Sequence, residues 1–233
     1  MSTNLTQRNI EILKIIVEEF IQTWDVLGSK ALLKKYDLWV SSATVRNDMA
    51  ILESLELIYQ PYNSAGRLPT TKGLRAFINY LMKETPNHFL ENKELKVKSN
   101  NIKTLEDFIY NITNELSKKT WEIAFFISED NWILEYSWIS NFLENNFKML
   151  WNSIFSIIKM LEDKQNFIHF ISSLPLSDWV NVFIWEENIT KFLRNYTIIV
   201  RPIALEWKIW YIWLIWWLKM NYSFNISAVR WII

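Results

Sequence analysis

The sequence predicts an α+β protein in two parts. Apolar residues recur at helical spacing through the first 84 positions, interrupted by one turn-rich hairpin. After position 103, short β-like apolar runs mix with helical ones without strict strand–helix–strand alternation. A polar stretch, 85–102, contains the only Pro of the middle region and reads as a linker. The chain's 233 residues are enough for either one large domain or two small ones with real cores. Half are apolar and 21% charged, which is globular composition. No internal repeat is evident.

Taken in order, residues 5–22 place Ile10, Leu13, Val17 and Phe20 on one side of a helix, with Thr6 as N-cap. Ser29 is expected to cap a short helix, Lys30–Lys35, with Leu32 and Leu33 inward. Asp37–Val40 reads as a turn, and Ser41 or Ser42 caps a third helix reaching about Leu55. Leu57–Gln60 is a short strand, PYNSAG (61–66) a turn-rich tip, and Arg67–Leu68 a return strand before Pro69. Thr71 then caps Lys72–Lys83, with Leu74, Phe77, Ile78 and Leu81 facing the core. Three helices, a hairpin and a closing helix make 1–84 a winged helix-turn-helix.

The second part, 103–233, opens with a helix at Leu105–Leu116 and strands at Ile123–Ser128 and Ile133–Tyr136. A long helix is expected at Phe142–Leu161, strands at Phe167–Ile171 and Val180–Ile184, and a helix at Glu186–Arg194. Strands at Thr197–Val200 and Ile209–Leu218 and a helix at Ser223–Ile233 finish it.

Composition removes several function classes. With no Cys, disulfides, thiolate zinc sites and cysteine nucleophiles are excluded. With only His88 and His169, a multi-histidine metal centre is not expected, and no cofactor is. Glu186 and Glu187 with His169 form the one imaginable acid/base group, but adjacent carboxylates on a helix ordinarily mark a solvated face or dipole partners, so no enzyme is expected. The start lacks a basic-then-apolar signal, which makes the cytoplasm the default. The aromatic run IWYIWLIWWL (209–218) is about half the roughly 20 residues a membrane helix needs, and reads as a buried strand.

The third helix carries the chemistry. On a helical wheel Val45, Met49 and Leu52 point inward. Ala43, Arg46, Asn47, Ala50 and Ser54 lie opposite, with Thr44 at the edge. Arg pairs bidentately with guanine, Asn with adenine, and a Thr methyl meets thymine, so this end suits the major groove. Ser41, Ser42 and the helix start can bind a backbone phosphate. The bland alternative is a solvated polar face, with Arg46 paired to Asp48 or Glu53. Asn63, Ser64 and Arg67 in the hairpin complete the DNA-facing set; Arg67 has a minor groove, a phosphate or plain solvent as its candidate surroundings. Charge does not decide, because residues 1–84 hold 10 Lys/Arg and 9 Asp/Glu.

SSATVRNDMA (41–50), Leu52-Glu53, QPYNSAGRLPT (60–70) and Lys72-Gly73, with Leu27-Gly28-Ser29-Lys30 upstream, resemble HrcA, the heat-inducible transcription repressor family. VFIWEEN (182–188) and KMNY (219–222) match blocks further on. The resemblance implies a GAF-like second domain and a homodimer that represses chaperone genes through an inverted-repeat operator in double-stranded DNA. It also implies modulation by the chaperonin GroEL; no membrane partner is expected, because the aromatic run is too short to span. A ligand-responsive winged-helix regulator with a small-molecule-binding GAF-like domain is the alternative. Two departures stand out. Ser128–Val180 is too short for the family's usual dimerising insertion, and Tyr62-Asn63 replaces the usual His-Thr in the hairpin.

One count is abnormal: 14 Trp against 3 Gly. The family writes glycine where this chain has Trp24, Trp121 and Trp185, and repeated glycines where Trp210, Trp213 and Trp216 stand. Trp and Gly together make about 7% of the chain, which is ordinary glycine usage. Translation of UGA as Trp, in an organism where it encodes glycine, explains both counts.

Overall fold

In the computed structural model the described residues are 5–83, 104–128, 134–137, 173–188, 196–205, 208–217 and 220–232, with 159, 162, 167, 169, 170 and 193. The fold is mixed helix and sheet, and the chain divides into two compact units, Met1–Thr85 and Pro86–Ile233. The expected linker and nearly all of the helix expected at Phe142–Leu161 lie outside the described residues.

The first unit begins with α1 (Gln7–Thr23), whose Thr6 Oγ1 accepts the Asn9 N–H while Asn9 Oδ1 accepts the Thr6 N–H, a reciprocal cap. Ile12, Leu13, Ile16, Val17 and Phe20 form its buried stripe. The second helix, α2 (Ser29–Lys35), buries Leu32; Gly28 is its cap and Ser29 its first residue, one residue earlier than expected. It is followed by α3 (Ser42–Ser54), capped by Ser41, whose Oγ accepts the Thr44 N–H at 3.1 Å. Strands β1 (Ile58–Tyr59) and β2 (Leu68–Pro69) pair antiparallel, and Leu27 adds a bridge to Arg67 through two backbone hydrogen bonds. Last comes α4 (Thr71–Lys83), whose Gly73 N–H is accepted by Thr70 Oγ1 rather than by the expected cap, Thr71.

The second unit is built on a five-stranded antiparallel sheet. Its members are β3 (Ile123–Ser128), β4 (Leu134–Ser137), β5 (Asn181–Ile184), β6 (Tyr196–Leu205) and β7 (Lys208–Trp217), in the order β4-β3-β7-β6-β5. The aromatic run is therefore the central strand, hydrogen-bonded on both sides. Alternation along the strands sends Ile123, Phe125 and Ile127 with Tyr196, Ile198, Val200, Trp213 and Ile215 into one core cluster. The other set, including Ala124, Phe126, Ile199, Ile212 and Leu214, is buried too. Helices α5 (Leu105–Thr120) and α6 (Tyr222–Trp231) contact each other and these strands.

Two expected elements differ. Phe167 and Phe170, expected in a strand, are helical, as is His169. Their three-residue spacing puts both rings on one helix face, with centroids 5.8 and 6.4 Å from that of Trp213. Where a helix Glu186–Arg194 is expected, a 3-10 turn (Trp185–Glu187) follows β5 and Leu193 is also 3-10, while 189–192 and 194 lie outside the described residues. Asn188 ends it: its Nδ2 donates to the carbonyls of Leu193 and Tyr196 and so pins the return of the chain toward β6. Glu187 accepts the Ile184 N–H at 3.0 Å, so in this structure its carboxylate caps the turn.

Candidate nucleic-acid interface

Helix α3 divides as its sequence pattern requires. Val45, Met49 and Leu52 are buried, while Ser41, Ala43, Arg46, Asn47, Ala50 and Ser54 are exposed and Ser42 and Thr44 half-buried. The buried side also holds Asp48, one of the two carboxylates that the bland alternative pairs with Arg46. Asp48 instead accepts from Arg8 Nε (2.6 Å), Arg8 Nη2 (3.2 Å) and Asn9 Nδ2 (2.9 Å), all on α1. Glu53, the other carboxylate of α3, pairs with Arg67 at 3.0 Å. Among the described residues Arg46 is in no ion pair, and its Nε donates to Ser29 Oγ at 3.3 Å.

Arg67 is placed otherwise than expected. Its guanidinium is folded back on Glu53 and the Ala65 carbonyl, with only 20% of the side chain exposed. Asn63 and Ser64 remain exposed at the hairpin tip. Ser29 is the residue sequence reasoning missed: its Oγ lies 3.2 Å from Ser42 Oγ and also receives Arg46, so it joins the starts of α2 and α3. Its place in the Leu27–Lys30 block was the available signal. A cleft of about 620 Å³ opens here, lined among others by Ser29, Lys30, Arg46, Gln60 and Gly66. Three basic side chains, Lys30, Arg46 and Arg67, border it, and Arg67 is paired with Glu53.

The Asp48 contacts tie α3 to α1, so they set how the exposed face is presented. Asp48→Ala strands the Asn9 amide, which is 2% exposed, and is expected to cost about 1–3 kcal/mol. Arg8, 44% exposed, rehydrates and adds little. Urea unfolding of the full chain measures this; an unchanged midpoint would show the contacts to be inert.

Fold and face together define a two-unit α+β protein with a polar, cation-bearing helix start turned to solvent. The family model described as HrcA protein C terminal domain matches residues 41–225, and the chain belongs to the HrcA family. Heat-inducible transcription repressors HrcA from three organisms are similar to it. That of Thermomicrobium roseum is 48% identical over 85 residues, covering 36% of this chain and 24% of the relative. That of Alkaliphilus metalliredigens is 41% identical over 92 residues (40% and 27%). That of Acidothermus cellulolyticus is 41% identical over 120 residues (52% and 35%). The matched stretches thus span a quarter to a third of those relatives. Among solved structures, the crystal structure of a hypothetical protein superposes with a TM-score of 0.78 at 19% identity, covering 98% of this chain and 96% of that one. That likeness concerns the fold alone. No helix among the described residues is long and apolar enough to cross a membrane, and no metal-binding cluster of His, Asp and Glu is found among them.

Proposed function

We propose that this chain is a DNA-binding transcription repressor of heat-inducible chaperone genes. In this reading the first unit is a winged helix-turn-helix and α3 is its recognition helix. Arg46 and Asn47 read bases, Ala43 and Thr44 pack on the groove floor, and Ser41 and Ser42 meet a phosphate. Asn63 and Ser64 touch the backbone from the hairpin, and Arg67 locks that hairpin onto α3 through Glu53. The second unit is GAF-like, which its strand order and flanking helices support. It pairs two chains on an inverted-repeat operator, and the chaperonin GroEL modulates the dimer, as in the family resemblance.

One observation carries the reading. Both carboxylates of α3 are taken up by other elements, which leaves Arg46 and Asn47 exposed at the helix start with no acidic neighbour engaging Arg46. This local arrangement offsets a near-neutral unit charge.

The test is operator binding by fluorescence anisotropy, using the inverted repeat upstream of the source organism's chaperone genes. Arg46→Ala is expected to weaken binding by about 1–3 kcal/mol and relax the preference at one base pair. Ser29→Ala, which removes the hydroxyl that holds the Arg46 guanidinium, is expected to shift the same base-pair preference by less. Intact specificity in Arg46→Ala, together with a lowered melting temperature, makes Arg46 structural; unchanged sequence-specific binding in both Arg46→Ala and Asn47→Ala removes α3 as the reader.

A further inference from the structure

Six non-glycine residues in the described chain have left-handed backbone: Trp24 (φ 62°), Trp39 (52°), Glu56 (58°), Ser64 (63°), Trp121 (64°) and Trp185 (46°). None of the three glycines does. At such φ the Cβ crowds the following carbonyl, and glycine alone escapes the clash. Short polar side chains tolerate the region better than bulky ones. Four tryptophans among six such residues reverse that preference.

Their places in the fold are glycine places. Trp24 and Trp121 are the residues just after α1 and α5, with N–H groups donating to the carbonyls of Phe20 and Ser117 at 2.9 and 2.8 Å. That position, just past a helix C-terminus with a left-handed backbone, is where glycine is commonest. Trp39 lies in the turn between α2 and α3, where a helix pair joined by a tight turn commonly uses glycine. Trp185 makes the abrupt change from β5 into the 3-10 turn. Burial does not explain the indoles: Trp24, Trp39 and Trp121 are 48%, 89% and 66% exposed. Trp210 and Trp213 are by contrast fully buried, each with an indole N–H that has no hydrogen-bond partner among the described residues.

We infer that glycine, not tryptophan, occupies positions 24, 39, 121 and 185 in the protein its source organism makes, because the codon written as Trp is read there as Gly. A single codon rule extends this to all 14 positions. Position 39 joins the set on its left-handed backbone alone, without the family resemblance. One consequence bears on the interface. With glycine at 39, the turn leading into α3 presents bare backbone N–H and C=O groups instead of the most exposed large apolar side chain of the described residues.

Mass spectrometry of the protein purified from its source decides the identity. Proteolytic fragments covering positions 24, 39, 121 and 185 are each expected to be lighter by one Trp-to-Gly difference. The intact chain is expected well over a kilodalton below 28.1 kDa, with no tryptophan emission. Fragments bearing Trp at these four positions overturn the inference. A second comparison uses a host with the ordinary code, producing the chain as written and a W24G/W39G/W121G/W185G variant. The variant is expected to melt at a higher temperature. An equal or lower melting temperature overturns the argument that the left-handed backbone selects glycine.

Discussion

Gly73→Ala is expected to destabilise the first unit by about 3 kcal/mol, near the upper end of what overpacking a tight contact costs. Helix propensity alone predicts the opposite sign, since replacing a helical Gly by Ala gains up to about 1 kcal/mol. The geometry decides against propensity. A Cβ built at Gly73 would sit 1.9 Å from the Leu57 carbonyl oxygen and 2.9 Å from its carbon. The obstacle is backbone, so no rotamer change relieves it. That same carbonyl accepts the Thr70 N–H at 3.0 Å and the Thr70 hydroxyl at 3.2 Å, so pushing it away breaks the joint between β1 and α4. Thermal unfolding followed by circular dichroism should show a fall of roughly 12–24 °C for a unit of this size. Gly28→Ala is the control, because its Cβ would meet nothing within 4 Å and its φ is −86°. Equal shifts in the two variants would mean that close approach to Leu57 is not what Gly73 is for.

The same contrast explains which features could be read from the residues. Local patterns came through: the α3 stripe of Val45, Met49 and Leu52, the β3 limits at Ile123 and Ser128, and the aromatic run as a strand. Each is specified by periodicity within one element. Phe167 and Phe170 differ because a five-residue apolar run has no period of its own, and the residues they cluster with, Ile123, Phe125 and Ile198 among them, are distant in sequence. Caps slipped by one residue at Gly28 and Thr70, since adjacent residues in GSK and PTT offer rival hydroxyls or cap backbones. The exposed half of the interface, Arg46 and Asn47, was legible from the wheel. Its supports were not, because the partners of Asp48 and Arg67 lie 40 and 14 residues off. No spacing rule announces that Arg67 folds back on Glu53 rather than reaching outward.

Stability of the second unit is expected to fall as pH rises from the mildly acidic range, the reverse of ordinary acid denaturation, and Glu122→Gln is expected to flatten that dependence. Glu122, 4% exposed, sits directly before β3, and its Oε1 accepts Asn225 Nδ2 from α6 at 2.9 Å. Glu122 Oε2 and Asn225 Oδ1 are both buried without a partner among the described residues. A proton on the carboxyl resolves both, with the acid O–H donating to the amide oxygen while the other oxygen keeps the amide N–H. Burial holds the Glu122 carboxyl well above its ordinary range, and the Asn225 hydrogen bond pulls only weakly the other way. With the folded pKa raised, the stabilisation is complete below the unfolded value of about 4.3 and is lost as pH climbs through the folded one. Gln presents the same donor and acceptor at every pH, so its variant should match the parent at low pH and exceed it at neutral pH. Glu122→Ala leaves the Asn225 amide unpaired in the core and should cost about 1–3 kcal/mol even in acid. Urea midpoints measured across the pH range separate the cases. A parent and Gln variant with the same slope would place the pH dependence elsewhere and leave the Glu122 carboxylate charged, with Asn225 as its one hydrogen-bond donor among the described residues.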